Sequence, residues 1–148
     1  MYKVKMDGQT LYYPGDKEAV LTNPTLNLLT GYAGTFEFSV PPNNPLYDKI
    51  KNRSNMVSVF RDTTELFYGE VRKQPKVDRY RNKNVYCAGA MSFLADSIQP
   101  QAEYHDMTPR QMLETFLDIH NNQVEDRKKV YLGKVTITDA NDSLYRYT

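Results

Sequence analysis

The histidines, the serines and the single cysteine are the residues of this sequence that could take part in nucleophilic or metal chemistry. His105 and His120 stand 15 residues apart, and no third ligand lies beside either one at the spacing of a zinc site. His120 falls at the expected C-terminus of a helix, where a protonated imidazole interacts favourably with the helix dipole. No serine is framed by the glycines of a nucleophile elbow; the serines concerned are Ser54, Ser58, Ser92 and Ser97. We therefore expect no catalytic histidine and no bound metal.

The acidic residues lie in predicted turns, not in pairs that face a cleft. Asp16 and Glu18 form one such pair, and Asp139 and Asp142 form another. Carboxylates in turns usually accept hydrogen bonds from nearby backbone N–H groups. A glycosidase needs two carboxylates across one cleft, and the sequence indicates no calcium loop or glycine-rich phosphate loop. We expect a protein that is not an enzyme and needs no cofactor.

Cys87 is the only cysteine, which excludes a disulfide within the chain and a cysteine-based zinc cluster. It lies in the apolar run of residues 85–88, where a buried, inert thiol is the usual role. No apolar run is long enough to span a membrane, and the first residues lack the apolar region of a secretory signal. We expect a protein that is made in a cytoplasm and is not inserted into a membrane.

The charges are almost balanced, with 19 basic and 18 acidic residues. This balance does not supply the one-sided field that binding to phosphate backbones requires. The one basic stretch, residues 72–83, is interrupted by Asp78 and contains Tyr80. It is more typical of a solvated hairpin edge that lysine and arginine keep from pairing with other strands. We expect no nucleic-acid partner.

Alternating apolar and polar residues predict a mainly β (α+β) fold. Tyr2, Val4 and Met6 alternate with lysines and are followed by the turn residues Asp7-Gly8 and a second strand at residues 9–13. Pro24 makes residues 20–29 a bent or edge strand, because proline cannot donate to a central ladder. Clean alternation predicts a strand at residues 35–40, and paired strands follow at 56–60 with 66–71 and at 76–80 with 84–88.

Two helical segments and a final group of strands complete the prediction. Asn44 is expected to cap a short helix that begins at Pro45 and buries Leu46, Tyr47 and Ile50. Residues 91–98 predict one or two helical turns. Thr108, followed by Pro109 and Gln111, predicts a capping box. Its helix presents an apolar face; the residues of that face are Met112, Leu113, Phe116, Leu117 and Ile119.

Residues 130–137 and 144–147 are expected to be strands, joined by a turn at 139–142. We place a first domain at 1–98 and the start of a second at 99–148, and we expect the chain to be the front piece of a longer protein.

The order of motifs from residue 28 to residue 138 resembles that of phage tail-tip or baseplate hub proteins, also called tail-associated lysins or prophage endopeptidase tail proteins. Members of that family run from an apolar-x-Phe-x-apolar strand through Pro-x-Asn-Pro and a helix ending in Ile to a strand, a short turn and Phe-x-Gly-x-Val. The corresponding segments here are residues 36–40, 42–45, 47–50, 56–61 and 67–71. Residues 89–96 are similar to the family's Gly-x-x-x-x-Leu-x-Asp link, and residues 108–121 and 132–135 are similar to its later helix and strand.

The resemblance implies a β-barrel-like hub domain, three copies of which form a ring that closes the tail tube. It implies as partners the distal tail protein and the tail tube or tape-measure proteins, and it implies the virion tail tip as the location. In some relatives later domains cleave peptidoglycan or bind the host, but nothing in this sequence matches such a domain. The resemblance therefore assigns no catalytic residue here.

Candidate contact surfaces are the edge near Tyr12-Tyr13 and the basic hairpin around Arg79-Tyr80-Arg81. The 12 tyrosines favour half-solvated sheet faces and interfaces, because the ring needs burial and the hydroxyl needs a partner. The same residues also fit a carbohydrate- or cell-surface-binding β module, in which exposed tyrosine rings stack on sugars. The absence of tryptophan weighs mildly against that alternative.

Overall fold

Residues 1–91 form one curled antiparallel sheet, a half-barrel of eight strands, so the expected mainly β fold is confirmed. The computed structural model describes residues 1–137 and the strand Leu144–Tyr147, and the chain divides into the units Met1–Met91 and Ser92–Thr148. The strands of the first unit are β1 (Tyr2–Met6), β2 (Gln9–Tyr12), β3 (Thr22–Asn27), β4 (Thr35–Val40), β5 (Met56–Arg61), β6 (Thr64–Val71), β7 (Lys76–Val77) and β8 (Lys83–Gly89). Their order is β2-β1-β5-β6-β8-β4-β3, and β7 pairs with β8 off this path.

The hairpins form where the turn residues predict them. Asp7 and Gly8 both have positive φ, 48° and 79°, as a tight turn between antiparallel strands requires. The turn between β5 and β6 is shorter than predicted, because β6 already begins at Thr64. The last predicted pair also forms, but β7 has only two residues.

Strand β3 lies at one end of the sheet, where β4 is its one neighbour among the strands that the structure describes. The pairing of β3 with β4 shifts register between Thr22 and Thr25, the segment that contains Pro24. A proline without an N–H is tolerated at such an edge position. The predicted bent or edge strand is therefore confirmed.

The core lies on the concave side of the half-barrel and comes from the alternating residues of nearly every strand. Phe36, Phe38 and Val40 of β4 are buried, as predicted. Ser39, which the alternation placed on the other side, is also buried, and its Oγ lies 2.6 Å from Oδ1 of Asn84. The buried core residues are Val4, Met6, Leu11, Leu21, Phe36, Phe38, Val40, Leu46, Ile50, Val57, Val59, Phe67, Val71, Val85 and Cys87.

The predicted helix after Asn44 is only a three-residue 3₁₀ helix, Tyr47–Lys49, and Leu46 occupies its N-cap position. Because the helix begins at Tyr47 and not at Pro45, Asn44 is not its N-cap, although its buried carboxamide still makes a cap-type bond to the N–H two residues on. Its Nδ2 donates to the carbonyls of Leu11 at 2.9 Å and Val20 at 3.1 Å, and its Oδ1 accepts from the Leu46 N–H at 3.0 Å. The expected burial of Leu46 and Ile50 is confirmed, and Tyr47 is half-buried.

The predicted helical turns form as a 3₁₀ helix at Ala90–Asp96. In the second unit, Thr108 caps the helix α1 (Pro109–Asn121) through the predicted capping box: its Oγ1 accepts from the Gln111 N–H, and the Gln111 side chain returns to the Thr108 N–H. The sequence missed β9 (Glu103–Met107), which contains His105, a residue expected in a loop. Strand β10 (Leu144–Tyr147), which was predicted, pairs antiparallel with β9.

The strand predicted at residues 130–137 is wrong, since these residues have no regular secondary structure. The side chain of Asn121 takes both backbone groups of Val130, donating to its C=O at 2.8 Å and accepting from its N–H at 2.9 Å. These bonds replace the ladder bonds that a strand would make at its first residue. The turn predicted at 139–142 lies outside the described residues.

Burial is sparse in the second unit. Among residues 92–137 only Phe93 and His120 are buried. The apolar face predicted for α1 is at most half-buried, and Leu113 is 44% exposed. The described part of this unit therefore depends less on an apolar core than the first unit does.

We expect Asn44→Ala to lower the free energy of unfolding by about 2–4 kcal/mol, because it leaves two carbonyls and one N–H without their partner. Urea unfolding followed by circular dichroism measures this loss. Asn43→Ala is the matched control, since Asn43 is exposed one residue earlier. Equal stability of the two variants would contradict the bridging role of Asn44.

Candidate functional site

The two tyrosines of the first candidate surface differ in exposure. Tyr12 is half-buried and packs against the core, whereas Tyr13 is 44% exposed. The Tyr13 N–H donates to the carbonyl of Ala19 at 3.3 Å, which fixes the backbone that follows β2. Only Tyr13 is therefore placed as an outward contact residue, and Tyr12 contributes to the interior.

The turn between β7 and β8 carries the second candidate surface. The Asp78 carboxylate accepts hydrogen bonds from the N–H groups of Tyr80 at 2.8 Å and Asn82 at 2.9 Å. Burial opposes ionisation of Asp78, but the hydrogen bonds from Asn82 and Tyr80 outweigh it and lower its pKa. The Arg79 guanidinium lies 4.7 Å from the centre of the Tyr80 ring, and Tyr80 is 67% exposed. The hydrogen bonds to Asp78 fix the backbone of this turn, and the turn presents a cation and an aromatic ring to solvent.

The two candidate surfaces belong to different strand pairs. Strand β2 pairs with β1 at one end of the sheet order, and β7 pairs with β8. The backbone of Arg81 has a φ of 66°, and its carbonyl accepts from the Tyr47 hydroxyl. The second surface is thus anchored on the 3₁₀ helix after β4, not on β2.

A cavity of about 510 Å³ opens at one end of the half-barrel. We call it the cup; the residues that line it are Tyr2, Val4, Tyr12, Leu21, Pro24, Leu26, Leu28, Phe36, Val59 and Leu66. They come from β1, β2, β4, β5, β6 and β3 with its flanking residues, so the cup lies between the two ends of the sheet. Tyr2 and Leu28 are about half exposed, at 52% and 51%, and mark its rim.

Phe36, which lines the cup, packs against Phe67, and the Phe67 ring lies over two glycines. The ring centres of Phe36 and Phe67 are 6.0 Å apart. Gly69 and Gly89 face each other across β6 and β8, and a Cβ on either would meet the Phe67 ring, at 2.6 Å from Gly69 and 3.2 Å from Gly89. Backbone carbonyl oxygens lie closer still, that of Ala88 at 2.3 Å from a Cβ on Gly69 and that of Ala33 at 1.8 Å from a Cβ on Gly89, so both positions require glycine.

None of the residues that line the cup is charged, and the Tyr2 and Tyr12 hydroxyls are the polar side-chain groups among them. The neighbouring lysines lie elsewhere: Lys3 and Lys5 extend to the Phe60 ring, 5.2 and 5.8 Å from its centre. The sequence predicted the inward alternation of Tyr2 and Val4, but it carried no sign that the space between the inward residues stays unfilled.

The thiol of Cys87 is fully buried in the core, as predicted. Desolvation by burial raises the pKa of this thiol far above its usual range. The thiolate, which is the reactive form of cysteine, is therefore disfavoured in the folded protein. Cys87 is placed as a core residue and not as a nucleophile.

His120 has a larger role than an interaction with the helix dipole. It is completely buried, and its Nε2 donates to the Lys128 carbonyl at 3.2 Å while its Nδ1 lies 2.8 Å from the Ser97 hydroxyl. In the neutral imidazole, Nδ1 then accepts from Ser97. Beside this link, Lys128 Nζ lies 3.1 Å from Asp96 Oδ2, so Asp96-Ser97 is tied to α1 and to the segment after it.

A serine that donates to a histidine is also the first part of a nucleophile–base pair. Here the imidazole is enclosed, and both of its ring nitrogens hold neighbouring segments in place. The arrangement indicates a structural role within the second unit. We call His120 with Ser97 and Lys128 the polar joint. Sequence reasoning missed this joint because Ser97 and Lys128 are remote from His120 along the chain.

The other histidine and the acidic turn residues have surface roles. His105 Nε2 lies 2.7 Å from Glu103 Oε1, and both side chains are about half exposed. The Asp16 carboxylate accepts from the N–H groups of Glu18 at 2.9 Å and Ala19 at 3.2 Å, which lowers its pKa. The expectation that this carboxylate serves the backbone of its turn is confirmed.

No protein-family model matches this chain, and no curated protein matches its sequence. Over the described residues, no three histidine, cysteine, aspartate or glutamate side chains are grouped closely enough to hold a metal ion. None of the helices in the part of the chain that the structure describes has the length and hydrophobicity that a membrane crossing demands.

We expect a thiol reagent such as DTNB to leave the native protein unmodified and to modify one thiol once the chain is unfolded in urea. Because burial raises the pKa of Cys87, reaction of the native protein stays slow from neutral to mildly alkaline pH. In Lys17→Cys, which adds a thiol at an exposed position, one equivalent reacts at once. Rapid reaction of native Cys87 would contradict its buried placement.

We expect His120→Ala to loosen the second unit, lowering the opening free energy of α1 amides by roughly 2–4 kcal/mol, because the Lys128 carbonyl and the Ser97 hydroxyl lose a buried partner. Hydrogen exchange read by mass spectrometry on peptides from α1 measures this change. His105→Ala, at an exposed site, should change protection by less than about 0.5 kcal/mol. Unchanged exchange in His120→Ala would rule out the polar joint.

Proposed function

We propose that this chain is a structural component of a bacteriophage or prophage tail-tip (baseplate) hub, part of a ring that closes the tail tube and joins the distal tail protein to host-facing domains. The proposal starts from the ordered series of motifs between residues 28 and 138. Within it, β4, the Tyr47–Lys49 helix, β5 and β6 follow one another as the hub family's opening module does.

The observation that carries the proposal is the open sheet of the first unit. Among the described residues, strands β2 and β3, at its two ends, each pair with a single neighbour, so the described ladder does not close into a full barrel. An unclosed sheet presents backbone donors and acceptors that another chain can engage. Ring-forming proteins need such repeated, directional contacts between copies.

Exposed apolar residues beside β3 support a role in protein contacts. Leu29 is 68% exposed and Tyr32 is 72% exposed in the loop between β3 and β4. Grouped exposed apolar residues on a small protein are typical of interaction surfaces. Together with Tyr80 at the basic hairpin, they provide aromatic anchors of the kind that dominate interfaces.

The alternative is a carbohydrate-binding module, which the exposed rings of Tyr13, Tyr32 and Tyr80 would favour. Sugar sites combine such rings with several polar side chains that bond to hydroxyl groups. These three rings lie in different segments, after β2, between β3 and β4 and in the turn between β7 and β8, and none of them lines the cup. The alternative also leaves the ordered series of motifs between residues 28 and 138 without an explanation. The hub proposal therefore takes precedence.

We expect antibodies against this chain to label the tail tip of phage particles produced by the organism that encodes it. Immunogold electron microscopy locates the label, and mass spectrometry of purified particles checks that the chain is present. Particles that lack the chain, or that carry it only in the head, would overturn the proposal. The alternative would be established by two results together. The chain would be absent from particles, and it would bind a glycan array with a signal that Tyr32→Ala or Tyr80→Ala abolishes.

The predicted contact with the distal tail protein of the same phage can be measured by biolayer interferometry, together with light scattering for the ring. Tyr80→Ala should weaken this binding by roughly tenfold or more, because large aromatic anchors carry much of the energy of an interface. Lys17→Ala, at another exposed position of the first unit, is the matched control. Equal binding by both variants would remove the basic hairpin from the interface.

A further inference from the structure

The half-barrel is packed at one end and hollow at the other. Met6, Leu11, Val57 and Val71 are buried in the core without lining the cup. At the opposite end, inward residues of the same strands leave about 510 Å³ between them. Small-molecule sites in proteins typically enclose about 300–1,000 Å³ and are often found at the mouths of β-barrels. The cup has the size and the place of such a site.

The side chains of the cup offer water few hydrogen-bond partners. A well-held water molecule needs two to four polar partners, and the side chains that line the cup supply only the Tyr2 and Tyr12 hydroxyls. Displacing weakly held water with an apolar group is favourable, because apolar surface is removed from water on both sides. An apolar ligand therefore gains from binding here.

The charges of the site restrict the ligand further. None of the ten residues that line the cup is ionisable at neutral pH. Lys3 and Lys5, the cations that flank Val4, extend to the Phe60 ring and not to the cup. A charged group placed deep in the cup would lose its hydration and find no opposite charge. The cup is complementary to a molecule whose buried part is uncharged.

We propose that the cup binds an uncharged, hydrocarbon-rich small molecule, held by the walls from β1, β3, β4 and β5 and bonded at the rim to the Tyr2 hydroxyl. This activity is separate from hub assembly and does not depend on it. The site needs no rearrangement of the sheet, since the cup is open in this fold.

Fluorescence titration of the full chain with N-phenylnaphthylamine, an uncharged apolar dye, tests the proposal. We expect saturable binding of one dye per chain. The anionic dye ANS carries the same ring system with an added sulfonate, and it should bind at least about tenfold more weakly. Failure to saturate, or equal affinity for the two dyes, would overturn the proposal.

Leu66→Trp places a large aromatic ring at a half-buried position in the cup. It should weaken dye binding by tenfold or more, which corresponds to a loss of about 1.4 kcal/mol of binding free energy. The chain has no other tryptophan, so blue-shifted indole emission reports that the new ring lies inside the cup. Leu29→Trp is the matched control, because Leu29 is exposed and does not line the cup.

Leu28→Lys provides a second variant that does not depend on repacking, since Leu28 is half exposed at the rim. It should also weaken dye binding, with an unfolding midpoint close to that of the parent protein. Dye affinity that survives in both Leu66→Trp and Leu28→Lys, or that falls as much in Leu29→Trp, would place the dye outside the cup and overturn the proposal.

Discussion

One side-chain amide bridges the segments at the open side of the half-barrel. The ladder runs from β2 to β3 through six intermediate pairings but never joins the two directly. Asn44 instead donates to the carbonyl of Leu11 in β2 and to that of Val20 just before β3. Because its oxygen also accepts from Leu46, the short 3₁₀ helix is held at the same point. Asn44 is thus the contact that joins segments from both ends of the sheet order and holds the chain between β4 and β5 against them.

The two units are stabilised by different kinds of interaction. The first fills most of its interior with apolar side chains, including three phenylalanines whose rings pack near one another. The second, as far as residues 92–137 show, relies on polar links such as Ser97 to His120 and Asp96 to Lys128. Apolar burial is tolerant of small shifts, whereas a buried hydrogen bond loses most of its value when the geometry slips. The described part of the second unit thus has less apolar burial than the first to compensate for the loss of a polar link.

Local signals in the sequence predicted local structure well. Asp7-Gly8 specifies its turn, Pro24 specifies an edge, and Thr108 with Gln111 specifies a helix start, because each acts within a few residues.

The sequence failed where one polar side chain bonds far along the chain. Asn44 looked like a cap but reaches Leu11, 33 residues away. In the same way, the Asn121 side chain bonds to both backbone groups of Val130, where the apolar pattern predicted the first residue of a strand. Of the candidate surfaces, the basic hairpin stands on the exterior, while Tyr12 faces inward. The cup was not predictable from residue types, since a void depends on how strands curve.

The paired glycines beneath Phe67 also bear on how this sequence can change over generations. A Cβ at Gly69 or Gly89 would run into both the Phe67 ring and a backbone carbonyl, that of Ala88 or of Ala33. The nearest atoms in both cases belong to the backbone carbonyls, at 2.3 Å from the Cβ on Gly69 and 1.8 Å from the Cβ on Gly89, so a smaller residue at position 67 makes no room for either side chain. The two glycines are therefore required whatever residue stands at position 67, whereas Phe67 can change by itself at the cost of a cavity. A lineage can explore new side chains around the rim of the barrel step by step, but these two positions stay glycine for as long as β6 and β8 keep their pairing.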